Sequence, residues 1–292
     1  MRTTQVECVL DAHALLGESP VWCPVEKVLY WVDIKRPAIH CFDPSDRSCR
    51  TWLMSEDIGS MGLRRNGGAV VALRSGFALV NFPGGEVQKL CDLIPRGSDL
   101  RFNDGRCDRH GRFWSGTLHE KRQVGTGALY RLGTDLGCHK LLEGITVSNG
   151  IAWSPDDLTM YFADSHVRTI FSFDFDIQSG TLGNRRIFAE LAPDDGVPDG
   201  ATVDLEGFLW SANFDGGCIT RYAPDGRVDR VVPFPVKRPT SCAFGGDGLN
   251  ILYVTSASRG LPEEHSRKGS LAGGLFALDV GVKGLPEPRF AG

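Results

Sequence analysis

Six apolar, strand-like segments recur along this chain at a nearly constant interval. They end at Asp33, Leu73, Thr117, Asp164, Asn213 and Ser256. A turn signal such as Asn66-Gly67-Gly68 stands ahead of each segment, and further apolar stretches follow. The interval of 40 to 49 residues is the length of one four-stranded antiparallel blade. The pattern therefore predicts an all-β fold, a six-bladed β-propeller.

The two chain ends predict how the ring of blades closes. The last blade reaches a strand near Leu275 and still needs an outer strand, which residues 5–10 are free to supply. Pairing of N- and C-terminal strands in one blade would remove an open sheet edge, which is otherwise prone to aggregation. No linker or shift in composition divides the chain, so we expect residues 1–292 to form a single domain.

Charge and composition argue against several classes of protein. The net charge is -4 and no basic run exceeds two residues, so nucleic-acid binding is not expected. No apolar run approaches the roughly 18 residues of a membrane-spanning helix, and the N-terminus lacks the apolar core of a signal peptide. Nine cysteines without a C-x-x-C pair indicate reduced thiols. We therefore expect a cytoplasmic protein, monomeric by default.

Polar residues occupy a matching position in each repeat, 13 to 15 residues before the segment end. They are Glu18, Ser60, Asn103, Asn149, Asp199 and Ser241. Because the first strand of each blade lines the central channel, we expect these side chains to meet at one end of it. A single Asn-Gly or Asp-Gly pair usually marks a turn, but four such motifs in one phase favour a shared site. The two serines would leave their side of the channel open for a substrate.

The chemistry of this constellation indicates a hard divalent cation. Carboxylate and amide oxygens suit Ca²⁺, Mg²⁺ or Mn²⁺, and the absence of His and Cys at these positions disfavours a structural zinc site. Two carboxylates held close together also need a positive charge between them. Arg101 lies two residues before Asn103, on the same face of the strand. Its guanidinium could bind substrate oxygens or a developing negative charge, although a surface salt bridge is the alternative.

Several motifs together resemble those of the SMP-30/gluconolactonase/regucalcin family. They include Gly17-Glu18-Ser19-Pro20-Val21-Trp22, Arg101-Phe102-Asn103-Asp104-Gly105, Ser148-Asn149-Gly150-Ile151-Ala152-Trp153 and Pro198-Asp199-Gly200-Ala201. The resemblance runs from about Gly17 to Leu278 in the family's order. It implies a six-bladed propeller that hydrolyses sugar lactones with one divalent metal ion. Calcium is favoured by ligand type, with Mg²⁺, Mn²⁺, Zn²⁺ or Fe²⁺ as alternatives.

By motif, the resemblance assigns individual roles. The metal ligands would be Glu18, Asn149 and Asp199, and the substrate contacts would be Arg101 and Asn103. Glu120 would be a further substrate contact, because it follows Gly116-Thr117-Leu118, where family members often carry a glutamate. The substrate would be a small-molecule lactone of the glucono-, xylono-, arabino- or galactonolactone type.

The expected reaction opens an aldono-1,4- or 1,5-lactone to the aldonic acid. The metal would polarise the lactone carbonyl, and Asp199 would take a proton from the attacking water. Two other functions fit the same fold. One is a metal-dependent esterase or phosphotriesterase, which would need a more apolar channel rim. The other is a non-enzymatic calcium-binding protein, for which Arg101 beside the metal has no obvious use.

Overall fold

Six four-stranded antiparallel sheets make up the protein, as a computed structural model that describes residues 5–261 and 270–292 shows. The predicted all-β, six-bladed propeller is therefore confirmed. Two short 3-10 helices, Ser165–Val167 and Pro193–Asp195, lie between strands. Within the described ranges, no helix has the length and apolar character that a membrane crossing requires.

The strands follow one another from the inside of each blade to the outside. Strand β1 (Glu7–Leu10) precedes blade one in the chain and belongs to blade six. Blades one to three comprise β2 (Gly17–Cys23), β3 (Val28–Asp33), β4 (Ala38–Phe42), β5 (Cys49–Leu53), β6 (Ile58–Leu63), β7 (Ala69–Leu73), β8 (Gly76–Val80), β9 (Val87–Asp92), β10 (Leu100–Cys107), β11 (Phe113–His119), β12 (Gly127–Leu132) and β13 (Cys138–Ile145). Blades four to six comprise β14 (Ser148–Trp153), β15 (Thr159–Asp164), β16 (Thr169–Asp176), β17 (Thr181–Glu190), β18 (Val197–Val203), β19 (Leu209–Phe214), β20 (Cys218–Tyr222), β21 (Val228–Pro233), β22 (Pro239–Gly245), β23 (Ile251–Ser256) and β24 (Leu275–Asp279).

The N-terminal strand completes the last blade. Strand β1 pairs with β24 in antiparallel register, with Glu7 opposite Ala277 and Cys8 opposite Phe276. The order in this sheet is β1-β24-β23-β22. The predicted closure by N- and C-terminal strands is confirmed: hydrogen bonds between β1 and β24 close the ring within blade six, and residues 11–16 connect β1 to β2 of blade one.

Every inner strand carries an irregularity in its pairing at the same level. The six β-bulges lie between Glu18 and Val21, Ile58 and Ser60, Phe102 and Gly105, Asn149 and Ala152, Pro198 and Ala201, and Pro239 and Ser241. A bulge inserts one unpaired residue, bends the strand and redirects its side chains. The bulges therefore place the polar residues of the inner strands around the channel axis, at a common height.

Two blades share a turn with the sequence Asp-x-x-Gly-x-x-Trp, in which the Asp and the Trp are buried. Asp108 accepts a hydrogen bond from Trp114 Nε1 at 2.8 Å, and Asp204 accepts one from Trp210 Nε1 at 2.9 Å. Both carboxylates are fully buried. The glycine in each turn has a positive φ, which a side chain would strain. Each Asp thus fixes a turn and the indole of the following strand at once.

The C-terminal segment, residues 283–292, runs across one end of the channel. Its main chain accepts or donates hydrogen bonds with blades six, two and three, at Leu249, Leu63 and Gly111. Glu287 forms an ion pair with Arg106 of β10 at 2.8 Å. The segment therefore ties together blades that are distant in sequence and covers this end of the channel.

Candidate active site

A pocket of about 280 Å³ opens at the other end of the channel. The six residues to which the sequence assigned a metal or substrate role all line it: Glu18, Arg101, Asn103, Glu120, Asn149 and Asp199. They come from blades one, three, four and five, and from the loop after β11. The structure therefore brings these six residues together, although they are up to 181 positions apart in the chain.

Two carboxylates and one amide form the polar centre of the pocket. Glu18, Asn149 and Asp199 are each at most 6% exposed. Burial, followed by the negative charges of Asp199 and Asp104, raises the pKa of Glu18 well above its usual range. Burial, followed by the charge of Asp104, does the same for Asp199. A cation between these carboxylates would stabilise their charged forms against both burial and the neighbouring negative charges.

The donor set fits a divalent ion only if the amide takes part. Among the residues that the structure describes, no three His, Cys, Asp or Glu side chains cluster closely enough to hold a metal. Glu18 and Asp199 therefore need a third oxygen, and Asn149 Oδ1 is available to supply it. Oxygen donors of mixed carboxylate and amide type are those that Ca²⁺ accepts most readily.

A chain of hydrogen bonds fixes the orientation of the Asn149 amide. Arg101 Nη1 donates to Asn103 Oδ1 at 2.7 Å, and Asn103 Nδ2 donates to Asn149 Oδ1 at 2.8 Å. Asn149 Nδ2 then donates to Ser165 Oγ at 2.7 Å, and Ser165 donates to the carbonyl of Pro198 at 2.6 Å. Arginine can only donate and a carbonyl can only accept, so each amide in the chain has one possible orientation.

These contacts give Asn103 a role in orienting Asn149. Its two N–H groups are both used within the protein, one on Asn149 and one on the carbonyl of Ser148 at 2.9 Å. Only one lone pair of Asn103 Oδ1 remains for a substrate. The predicted substrate contact at Asn103 is thus limited to accepting one hydrogen bond.

The orientation of Asn149 can be tested at Ser165. We expect Ser165→Ala to weaken divalent metal binding by about 10-fold to 100-fold, the usual effect of losing a group that orients a ligand. Isothermal titration calorimetry with Ca²⁺ measures this directly. Ser148→Ala is a matched control, because the Ser148 hydroxyl is buried beside Asn149 and has no hydrogen-bond partner among the described residues. Equal affinities in the two variants would contradict the orienting role.

Glu120 is held at the pocket wall by two cations. Its Oε1 accepts from Lys35 Nζ at 2.6 Å and its Oε2 from Arg74 Nη2 at 3.0 Å, and Asp57 bonds to both cations. Burial alone would raise the pKa of Glu120, but the hydrogen bonds from Lys35 and Arg74 lower it to about 2. Glu120 is therefore ionised at neutral pH and its carboxylate is fixed in place. Sequence reasoning missed its three partners, since they lie outside the repeated motifs.

Arg101 lies deep in the wall, next to Glu120. Its Nε is 3.8 Å from Glu120 Oε1, beyond hydrogen-bond distance, and has no hydrogen-bond partner among the described residues. Burial lowers the pKa of Arg101 to about 10, against the effect of the nearby carboxylates. The guanidinium thus remains protonated at neutral pH and retains an unused donor. The alternative of a surface salt bridge does not fit a side chain that is 7% exposed.

Ser60 and Ser241 do not line the pocket, so their predicted position was wrong. In the other four blades, the site residue directly follows the residue that pairs with the strand end, as Asp199 follows Pro198. Ile58 pairs with Leu73 and Pro239 with Ser256, so both serines lie one residue past this channel position. Ser60 Oγ instead lies 3.1 Å from Ser115 Oγ, deeper in the fold.

Gly59 and Thr240 occupy the channel level in these two blades. A Cβ on Gly59 would come within 2.6 Å of the carbonyl oxygen of Asn103, so only glycine allows blades two and three to approach this closely. The Thr240 hydroxyl donates to the carbonyl of Gly17 at 2.5 Å. In blades two and six, contacts between neighbouring blades therefore occupy the channel level, which the two serines were expected to leave open.

Comparisons with known proteins show the family of this chain. A family model described as SMP-30/Gluconolactonase/LRE-like region matches residues 16–258. The 6-deoxy-6-sulfogluconolactonase of Pseudomonas putida is 40% identical over 98% of this chain and 99% of that protein. Regucalcin of Xenopus laevis is 35% identical over 100% of both chains.

Solved structures with the same fold extend the comparison. A calcium-binding protein, regucalcin, from Agrobacterium tumefaciens has a TM-score of 0.94 at 27% identity, covering 98% of this chain and 97% of that one. A luciferin-regenerating enzyme has a TM-score of 0.91 at 29% identity, covering 98% and 99%. With the family model spanning all six inner strands, the chain belongs to the SMP-30/gluconolactonase/LRE-like family.

Proposed function

We propose that this protein is a metal-dependent lactonase that hydrolyses an aldono-1,4- or 1,5-lactone to the aldonic acid. The observation that carries the proposal is the pair of buried carboxylates, Glu18 and Asp199, beside the oriented amide of Asn149. Family membership and the lactonase named among its relatives support a sugar lactone as substrate.

Glu18, Asn149 and Asp199 would hold the divalent ion. Calcium is our first choice because all three donors are oxygens and because the regucalcin of Agrobacterium tumefaciens is described as calcium-binding. Mg²⁺, Mn²⁺, Zn²⁺ and Fe²⁺ are the alternatives. When bound, the ion would polarise the lactone carbonyl and make a bound water more acidic.

The protein's own groups supply the remaining steps. Asp199 accepts a proton from the attacking water, whose oxygen forms the new bond to the carbonyl carbon. Arg101 donates from its unused Nε to the oxygen on which negative charge develops. Glu120, ionised and fixed by Lys35 and Arg74, accepts hydrogen bonds from sugar hydroxyls. Asp199 then returns the proton to the ring oxygen as the ring C–O bond breaks.

Removal of the metal tests this proposal. We expect a chelated and dialysed protein to lose lactone hydrolysis down to the spontaneous rate, and one divalent ion added back to restore it. Proton release with a pH indicator, over a panel of glucono-, galactono-, xylono- and arabinonolactones, is the measurement. An aryl ester and a phosphotriester in the same panel test the alternative substrates. A full lactonase rate in protein shown to be metal-free would overturn the metal dependence.

A further inference from the structure

The pocket carries more positive charge than a neutral sugar lactone needs. Four arginines line it against three carboxylates, Glu18, Glu120 and Asp199, before any divalent cation is added. The protein as a whole has a net charge of -4. An arginine without an acidic partner in such a pocket attracts anionic ligands. The four arginines are Arg101, Arg122, Arg238 and Arg259.

Two of these arginines already have partners. Arg101 donates to Asn103, and Arg238 Nε forms an ion pair with Asp215 Oδ1 at 2.7 Å. Arg122 and Arg259 differ, because neither side chain has a hydrogen bond or ion pair within residues 5–261 and 270–292. Their guanidinium groups are therefore available to a ligand.

Arg122 and Arg259 approach the pocket from opposite walls. Arg122 follows β11 in blade three, and its main-chain N–H is fixed on the carbonyl of His119 at 2.8 Å. Its side chain lines the same pocket as Asp199. Arg259 follows β23 in blade six, where its main-chain N–H bonds to the carbonyl of Leu15 at 3.0 Å. Blades three and six face each other across a ring of six.

We infer that the substrate lactone carries an anionic group remote from its ring ester, a sulfonate, phosphate or carboxylate, and that Arg122 and Arg259 bind it. This inference rests on the proposed lactonase function. With the ester carbonyl at Arg101 and the metal ligands, the rest of the sugar extends towards the mouth, where both free guanidinium groups are exposed. Each guanidinium can donate two parallel hydrogen bonds to such an oxyanion.

The test compares lactones that differ only in the substituent at the end of the sugar. Metal-loaded enzyme is assayed on gluconolactone and on its 6-phospho, 6-sulfo and 6-carboxylate analogues. We expect kcat/KM for at least one charged lactone to exceed that for gluconolactone by about 10-fold to 100-fold. The three charged substrates identify which oxyanion is preferred. The KM for the preferred one should rise with ionic strength, because salt screens exposed charges.

Arginine variants test whether Arg122 and Arg259 cause the preference for a charged lactone. Arg122→Ala and Arg259→Ala should each lower the ratio of kcat/KM for the preferred charged lactone to kcat/KM for gluconolactone by about 10-fold. Arg122→Glu should lower this ratio further. Arg96→Ala is the matched control, since Arg96 is an exposed arginine away from this pocket, and it should leave the ratio unchanged. If the wild-type enzyme prefers gluconolactone and the ratio is the same in every variant, the inference is wrong, while the proposed lactonase function still holds. No hydrolysis of any lactone would instead contradict the proposed function.

Discussion

Replacement of Asp199 by asparagine should lower lactone hydrolysis by about 10²-fold to 10⁴-fold, the usual contribution of a general base. In the proposed mechanism, the variant loses the proton acceptor and one of the two carboxylates that would hold the metal, while the shape of the side chain is kept. Since burial and the charge of Asp104 raise the pKa of Asp199, the ionised carboxylate destabilises the folded, metal-free chain above that pKa. The asparagine variant should therefore be at least as stable as wild type when both are free of metal at neutral pH.

Steady-state kinetics at saturating metal separates the two roles of Asp199. A fall in kcat that persists when calorimetry shows full metal occupancy indicates loss of the base, and recovery at high metal indicates loss of a ligand alone. Asp225→Asn is the control, because Asp225 is exposed and, in the described part of the chain, pairs only with its near neighbour Arg227. A near wild-type kcat in Asp199→Asn would exclude Asp199 as the base.

Replacement of Asp204 by alanine should have the largest effect on stability. The carboxylate is fully buried and accepts from Trp210 Nε1, from Arg221 Nε at 2.9 Å and from Arg221 Nη2 at 2.7 Å. Loss of one partner of a buried ion pair typically costs about 3–5 kcal/mol. Arg221 also pairs with Glu206 and Asp229, so we expect a decrease in unfolding free energy near the lower limit, about 3 kcal/mol.

Chemical denaturation measures this difference, with Asp174→Ala for comparison. Asp174 pairs with Arg186 on the surface, where both side chains are 50% exposed, and a surface pair is worth at most about 1 kcal/mol. Equal unfolding free energies for the two variants would show that the buried turn of blade five does not depend on its carboxylate.

The sequence predicted the blades and the site because both depend on a repeat. Glu18, Asn103, Asn149 and Asp199 stand in phase, so a fold that superposes the repeats must bring them together. The predicted positions of Ser60 and Ser241 were wrong for a local reason. The pairing distance from strand end to channel differs by a residue or two among blades, and counting from the strand end cannot detect that difference.

Features outside the repeat were not predictable in the same way. Lys35, Arg74 and Glu120 lie in the loop between the second and third strands of blades one, two and three, but these loops differ in length and sequence, so no shared motif marks them. Residues 283–292 have no periodic pattern, and their contacts depend on the assembled ring. The Asp-x-x-Gly-x-x-Trp turns were predictable from the sequence, because the spacing from Asp108 to Trp114 equals that from Asp204 to Trp210. A search for that spacing would have found both buried carboxylates.

The C-terminal segment makes the channel a blind pocket, because Glu287 and Pro288 lie beneath the inner strands while the pocket opens at the opposite end. In the proposed reaction, an incoming lactone and a departing aldonate therefore use the same mouth. The open-chain acid would carry its own carboxylate towards the cations of the wall. We therefore expect accumulated product to compete directly with the next lactone.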